Sequence, residues 1–361
     1  MAMYQETDND YVEISSIPSY GYHINQDKSY CTLDNINKDN HAVLKTIGSN
    51  HTISNLSKND KCYIYFDKNK INNISDIINT HNLAVRTDFS TTVTEDTTGT
   101  LFVAPDDYGN SYYYAGAVKD NWVKFGGYYW RIIRINGDGT LRLIYNGPTT
   151  AQTGETTQIG MSAFNTNYQN NIYAGFMYTN GEIHGRNTNS TIKDVLDNWY
   201  SSNLSGYASK IAAGEGASFC NDRQPSTDSS SINGSGGTGT TDTYYAVYIR
   251  LYTNRTPTFR CADTRDRFAT SVGLITADEA AYAGGVIATD NLKYYLTSGH
   301  DYWTISVAMY NNGIGMVRIN GYGWITDNYA PSNYGVRPVI NLRKDIQFTG
   351  LGTADNPYVV S

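Results

Sequence analysis

Residues 302–342 read YWTISVAMYNNGIGMVRINGYGWITDNYAPSNYGVRPVINL, and the two ends of this stretch differ in character from its middle. Tyr302-Trp303-Thr304-Ile305 and Val336-Arg337-Pro338-Val339-Ile340-Asn341-Leu342 carry the β-branched and aromatic residues of strands. Between them Met309, Tyr310, Ile314, Met316, Arg318, Tyr322, Trp324 and Tyr329 are set among Gly and Asn. A core segment would be more aliphatic, and a solvated loop would hold fewer aromatics. The middle, 307–334, therefore reads as a binding surface held on a β framework. Tyr and Trp supply large contact area with few torsions to freeze, while Ser, Asn and Gly supply adaptable polar contacts. Asn312, Asn320 and Ser332 are the expected hydrogen-bonding members.

Upstream, Trp122-Val123-Lys124-Phe125 is followed by Gly126-Gly127 and then by the run from Tyr128 to Ile135. Two glycines between alternating runs signal a tight hairpin, because both can take positive φ. Asn136-Gly137-Asp138-Gly139 turns the chain into 140–145, completing a three-stranded meander. Plain alternation places Trp130 and Ile132 on one face and Ile133 and Ile135 on the other, so this strand is central in its sheet. A C-terminal sheet is expected from 302–305, 315–319, 336–342 and 357–360.

Helices are few. Ile192, Val195, Leu196 and Trp199 keep amphipathic helical spacing, with Thr191 and Asp194 as a shortened capping box. A second short helix is expected over 276–283, with Thr276 and Glu279 as its box and Gly284-Gly285 as its stop. The Ser, Gly and Thr of 226–243 read as an exposed loop.

The N-terminal 1–66 reads as a small β-sandwich-like module, with apolar stretches at 12–17, 42–47 and 63–66 between polar clusters. Residues 67–100 form an Asn-, Thr- and Asp-rich linker that packs on the next domain, with Ile71, Ile74, Ile77 and Ile78 marking one short helix. Residues 101–361 are the large ligand-binding domain. The fold class is α+β, rich in antiparallel strands.

The 361-residue chain carries a net charge of -7, which argues against nucleic acid as a partner. Only 17% of residues are charged, whereas Tyr reaches 32 and Gly 33, a mixture that suits a β-rich protein working outside a cell. No apolar run has the roughly 18 residues of a membrane span, so direct membrane insertion is not expected. The opening MAMYQETDND has neither the basic nor the apolar region of an export signal; a signal or anchor removed upstream is compatible with it. Of the four cysteines, Cys31 and Cys62 fall in the module and Cys220 and Cys261 in the large domain. Two disulfides, Cys31–Cys62 and Cys220–Cys261, and an oxidising compartment are the economical reading. Four reduced, buried thiols are the alternative.

The motifs of catalysis are weak. Asp278-Glu279 is the best acidic pair, but helix capping and surface solvation account for it. His184 and His300 are isolated and read as loop residues, and the glycines of 234–239 lack the Lys-Ser/Thr of a phosphate loop. No catalytic residue, metal ligand or cofactor is assigned.

YYWRIIRINGDGTLRLIYNG, STIKDVLDNWY, GLITADEAAYAGG, YWTIS and GVRPVINLRKD, in that order, resemble a group of bacterial surface-type proteins. Their domain is similar to the formylglycine-generating-enzyme branch of the C-type-lectin-like fold, and the resemblance covers roughly 90–361. Catalytic members of that branch use a C-terminal cysteine pair for copper-dependent oxidation; this chain has no cysteine after Cys261, so that activity is not implied. The calcium-dependent sugar signature of lectins is absent as well. The same branch includes variable proteins of diversity-generating retroelements, in which adenine-directed mutagenesis rewrites a C-terminal segment. By position, 307–334 would be that segment here. Relatives often carry Pro after the WTxS motif, where this chain has Val307, which leaves the local turn undefined.

The expectation is a non-catalytic extracellular, cell-surface or virion-borne protein. Its 307–334 face would bind a protein first and a glycan second. A structural surface or pilus-type subunit is the alternative, and an enzyme on the same fold a more distant one.

Overall fold

The structure, a computed structural model, describes residues 1–7, 10–18, 21–32, 42–47, 50–214, 217–227 and 237–361. It is mostly strand with few helices, an α+β protein. Part of the expected 226–243 loop, 228–236, lies outside the described residues.

The N-terminal strands are β1 (Ala2–Glu6), β2 (Tyr11–Ile14), β3 (Tyr22–Ile24), β4 (Tyr30–Thr32), β5 (Val43–Ile47), β6 (Asn50–Ser54) and β7 (Lys61–Lys68). Five form one sheet in the order β2-β1-β7-β3, with β4 also on β7, and β1–β7 is its parallel pair. Strand β7 alternates strictly: Cys62, Ile64 and Phe66 point inward, and with Ile24 and Cys31 they make a small separate core. The β5–β6 hairpin lays Leu44 and Ile53 against that core. Cys31 and Cys62 stand opposite each other on β4 and β7 and are joined by a disulfide, and Cys220–Cys261 is the second.

The stretch read as a linker contributes to the large domain. Helix α1 (Ile74–Thr80) begins with a capping box between Asn73 and Asp76, and Ile71, Ile74 and Ile77 enter the main core. Strand β8 (Asn82–Ala84), which the sequence did not announce, pairs in parallel with β9 (Thr100–Pro105). Then follow β10 (Asn110–Tyr113), β11 (Trp122–Phe125), β12 (Tyr128–Ile135) and β13 (Leu141–Gly147). The glycine hairpin is present: Phe125 pairs with Tyr128, and Gly126 and Gly127 have φ of 60° and 84°.

Strand β12 departs from plain alternation. Its register with β13 slips between Ile132 and Arg134, so Ile132 faces Leu143 and Arg134 faces Arg142. The extra residue, Ile133, is a bulge that turns Ile135 to the face of Trp130 and Ile132. Arg134 thereby joins Arg131 and Arg142 on the other face.

A second sheet contains β14 (Met161–Ala163), β15 (Thr243–Tyr244), β16 (Tyr302–Tyr310), β17 (Ile314–Ile319), β18 (Ile325–Tyr329) and β19 (Asn333–Gly335). Its order is β14-β19-β16-β17-β18, with β15 also on β16. The expected single C-terminal sheet is thus divided. Strand β20 (Val339–Leu342) pairs with β13, and β22 (Tyr358–Val360) pairs with β11 and with β21 (Phe348–Thr349), all in the first sheet. Trp130 and Trp303 are buried in the core shared by both sheets. Arg337 is buried there too, donating from Nε and Nη2 to the carbonyl of Tyr145 and from Nη1 to that of Leu296.

Helix α2 (Thr191–Asn203) starts one residue earlier than its sequence suggests. Ser190 is the N-cap; Thr191 Oγ1 instead accepts from Thr166 N, and Asp194 accepts from Asn189. Helix α3 (Ala246–Tyr248) runs into a π-turn over Ile249–Thr253. Helix α4 (Ala277–Tyr282) has the expected Thr276–Glu279 capping box. Among the described residues no helix is long and apolar enough to cross a membrane.

Candidate functional site

The segment 307–334 is sheet rather than an irregular display loop, and its strands decide which side chains meet solvent. Strand β16 ends at a tip of Asn311, Asn312 and Gly313; β17 runs back to a turn at 320–324; β18 returns toward the tip. Tyr322 and Trp324 therefore sit at one end and Asn312 and Tyr329 at the other. The five residues of β18 separate them by about 16 Å. The two sets form separate clusters on this sheet.

Burial removes several expected contacts. Tyr310, Ile314 and Met316 are core residues, because the β alternation turns them inward and the tip's neighbours cover them. Tyr310 is anchored further by its hydroxyl, which donates to the Gln169 carbonyl at 2.9 Å. Asn320 is buried as well; its Oδ1 accepts from the backbone of Tyr322 and Trp324 and shapes the turn. Arg318 lies over the Tyr334 ring at 4.6 Å and pairs with Asp301. Its register with Thr326 puts it on the sheet face opposite to that of Asp327 and Tyr329. Ser332 donates its amide to the Tyr329 carbonyl in the next turn. Tyr322 is exposed, and Trp324 is half-buried.

At the tip end the geometry is more coherent. Tyr244 pairs with Met309, Met309 with Gly315, and Gly315 with Tyr329. These four residues form one row across four strands on one face, spanning about 14 Å. Tyr329 is 50% exposed, Tyr244 and Met309 are half-buried, and Gly315 leaves a dip between the larger side chains. Tyr168 extends the row, its ring centroid 6.3 Å from that of Tyr329. Gly313 lies beneath both rings: a Cβ there would stand 2.9 Å from Tyr168 and 3.0 Å from Tyr329. Asn311 and Asn312 are exposed at the rim, and Asn312 holds a left-handed φ of 53°.

One wall of the row is a ladder of rings. Tyr244, Tyr248 and Tyr252 recur every four residues and stack with centroids 4.3 and 4.5 Å apart. Tyr252 donates to Asp327 Oδ1 at 2.9 Å. Burial pushes the Asp327 carboxyl up, against the opposing pull of that hydrogen bond and of Arg318. The spacing Tyr244-x3-Tyr248-x3-Tyr252 was the available signal for this wall, and Tyr168 carried none.

The other polar concentration is internal. Asp278 and Glu279 are not a solvated surface pair: both are buried at 2% exposure. Glu279 bonds Arg134 Nε at 2.9 Å and pairs with Arg142 Nε at 2.6 Å, using the face to which the β12 bulge turned Arg134. Burial would raise the Glu279 carboxyl, but Arg142 and Arg134 overcome it and hold it below its ordinary value. Arg250 bridges Asp222 and Asp278 at 2.6 and 2.8 Å, yet burial still leaves the Asp278 carboxyl raised. The cavity among these groups is about 40 Å³, space for a few waters. The arrangement ties α4 and the π-turn to the sheet.

His184 is also held structurally, with Nδ1 3.0 Å from buried Asp266 and Nε2 3.7 Å from Asp263. Among the described residues no group of three or more His, Cys, Asp or Glu is placed to hold a metal ion. Compared with family models, characterised proteins and solved structures, the chain matches none.

Proposed function

We propose that the protein is a non-catalytic binding protein of a cell surface, virion or extracellular space, whose large domain is C-type-lectin-like. Its contact surface is the tip end of the second sheet: Tyr168, Tyr244, Met309, Asn311, Asn312 and Tyr329. The observation that carries this reading is the cross-strand row Tyr244–Met309–Gly315–Tyr329, half-open to solvent on a rigid sheet with an asparagine rim. Two disulfides support an oxidising compartment. A flat aromatic centre with a polar edge favours a protein ligand, with a glycan second. In a retroelement-diversified chain, substitutions would concentrate at the solvent-facing positions 309, 311, 312 and 329. Tyr310, Ile314 and Met316 would stay apolar.

The test is a screen of the labelled protein against arrays of extracellular proteins and glycans. At least one saturable interaction is expected that Tyr168→Ala with Tyr329→Ala abolishes while the melting temperature changes little. Hits indifferent to that double substitution would remove the tip from the account.

A further inference from the structure

The outward face of the N-terminal sheet is a second, separate surface. Because β7 alternates, Tyr63, Tyr65 and Asp67 point away from the module core. The register sets Tyr30 beside Tyr63, Tyr4 beside Tyr65, Glu13 beside Tyr4, and Tyr11 beside Glu6. Five tyrosines from four strands thus share one face. All five are partly exposed. Tyr4–Tyr65 and Tyr30–Tyr63 stack with centroids 4.7 and 5.0 Å apart and interplanar angles of 15° and 23°. Those separations match the spacing between strands. The rings therefore stand on edge against one another, and hydroxyls and ring edges face outward.

This geometry selects among occupants. A sugar stacks on flat aromatic faces, and here most of those faces are already used by neighbouring rings. The patch measures about 14 Å across the strands and 13 Å along them, or about 200 Å². That is well short of the roughly 800 Å² per partner in a stable dimer. One end is acidic: Glu13 is exposed, Glu6 accepts from Lys68 N, and Asp67 accepts from Asn25 and from the Tyr11 hydroxyl. Lys61 stands at the opposite end. A cation already rests on this face, with Lys28 Nζ 4.0 Å from the Tyr11 ring centroid. The outward hydroxyls and the carboxylates are acceptors, and together they favour ammonium or guanidinium donors.

We propose that this face docks an extended polypeptide segment carrying Lys or Arg. The segment crosses the tyrosine band with its cations toward Glu13 and Asp67. The inference does not depend on the tip of the second sheet.

Fluorescence anisotropy of the full chain with a fluorescein-labelled decapeptide of alternating Lys and Thr tests it. Saturable binding is expected. Tyr65→Ala should weaken it at least tenfold, although that substitution leaves the net charge unchanged and so leaves non-specific attraction intact. Tyr329→Ala should not affect it. If Tyr65→Ala disturbs the module, the exposed Glu13→Lys substitution should give the same loss in a folded protein. Equal binding of an alternating Glu–Thr decapeptide, indifference to both substitutions, or binding only of a neutral oligosaccharide such as cellohexaose would overturn the proposal.

Discussion

At the scale of single residues, Glu279 has two tasks. One carboxylate oxygen closes the α4 capping box on Thr276 N, and the other lies between Arg134 and Arg142. Glu279→Gln can keep the cap but leaves buried Arg142 without its counter-charge and Arg134 with Asp106 alone. We expect a loss of about 3–5 kcal/mol, measured by chemical denaturation. The pH dependence has a defined sign. A carboxyl held below its ordinary value of 4.5 contributes stability that is complete above that pH. The contribution is lost as the pH falls through the lower folded value. Wild-type melting temperature should therefore drop on acidification below about 4.5, with a shallower drop in Glu279→Gln. An identical acid limb in both would contradict the pairing. Neither partner was legible beforehand, because Asp278-Glu279 beside Gly284-Gly285 carries a capping signature whether or not an arginine waits behind it.

At the scale of elements, turn chemistry was the most legible and register the least. Gly126-Gly127 and Thr276–Glu279 signal structure through short-range conformation alone, and both stand where the sequence placed them. The β12 bulge has no local marker. It turns Arg134 toward Glu279, which is 145 residues away. The cap of α2 was misread for a similar reason, since Thr191 bonds to Thr166 across the fold. The hairpin allows a graded test. Gly127 has open space around a Cβ, so Gly127→Ala should cost only the left-handed backbone penalty of about 1–2 kcal/mol. At Gly126 a Cβ would stand 2.6 Å from Leu204 Cδ2, so Gly126→Ala should cost more. Equal losses in thermal denaturation would mean that this loop does not pack on Leu204.

At the scale of the whole molecule, the chain is a small disulfide-closed module and a large two-sheet domain, each with its own core. The composition foreshadowed a β-rich protein with many tyrosines but not where they gather. Contiguity across strands depends on pairing register, which no single stretch encodes. So the aromatic run at 302–342 looked like one face, although its strands carry Tyr322 and Tyr329 to opposite ends. Tyr244 and Tyr168, distant in sequence, complete the row instead.

The direct test is the affinity of Tyr329→Ala and of Tyr322→Ala for one ligand recovered from the array screen, measured side by side by surface plasmon resonance. Loss of about 2 kcal/mol, roughly thirtyfold, is predicted for Tyr329→Ala, with Tyr322→Ala within twofold of wild type. The reverse order, or equal losses from both ends of the sheet, would contradict the assignment of the binding face.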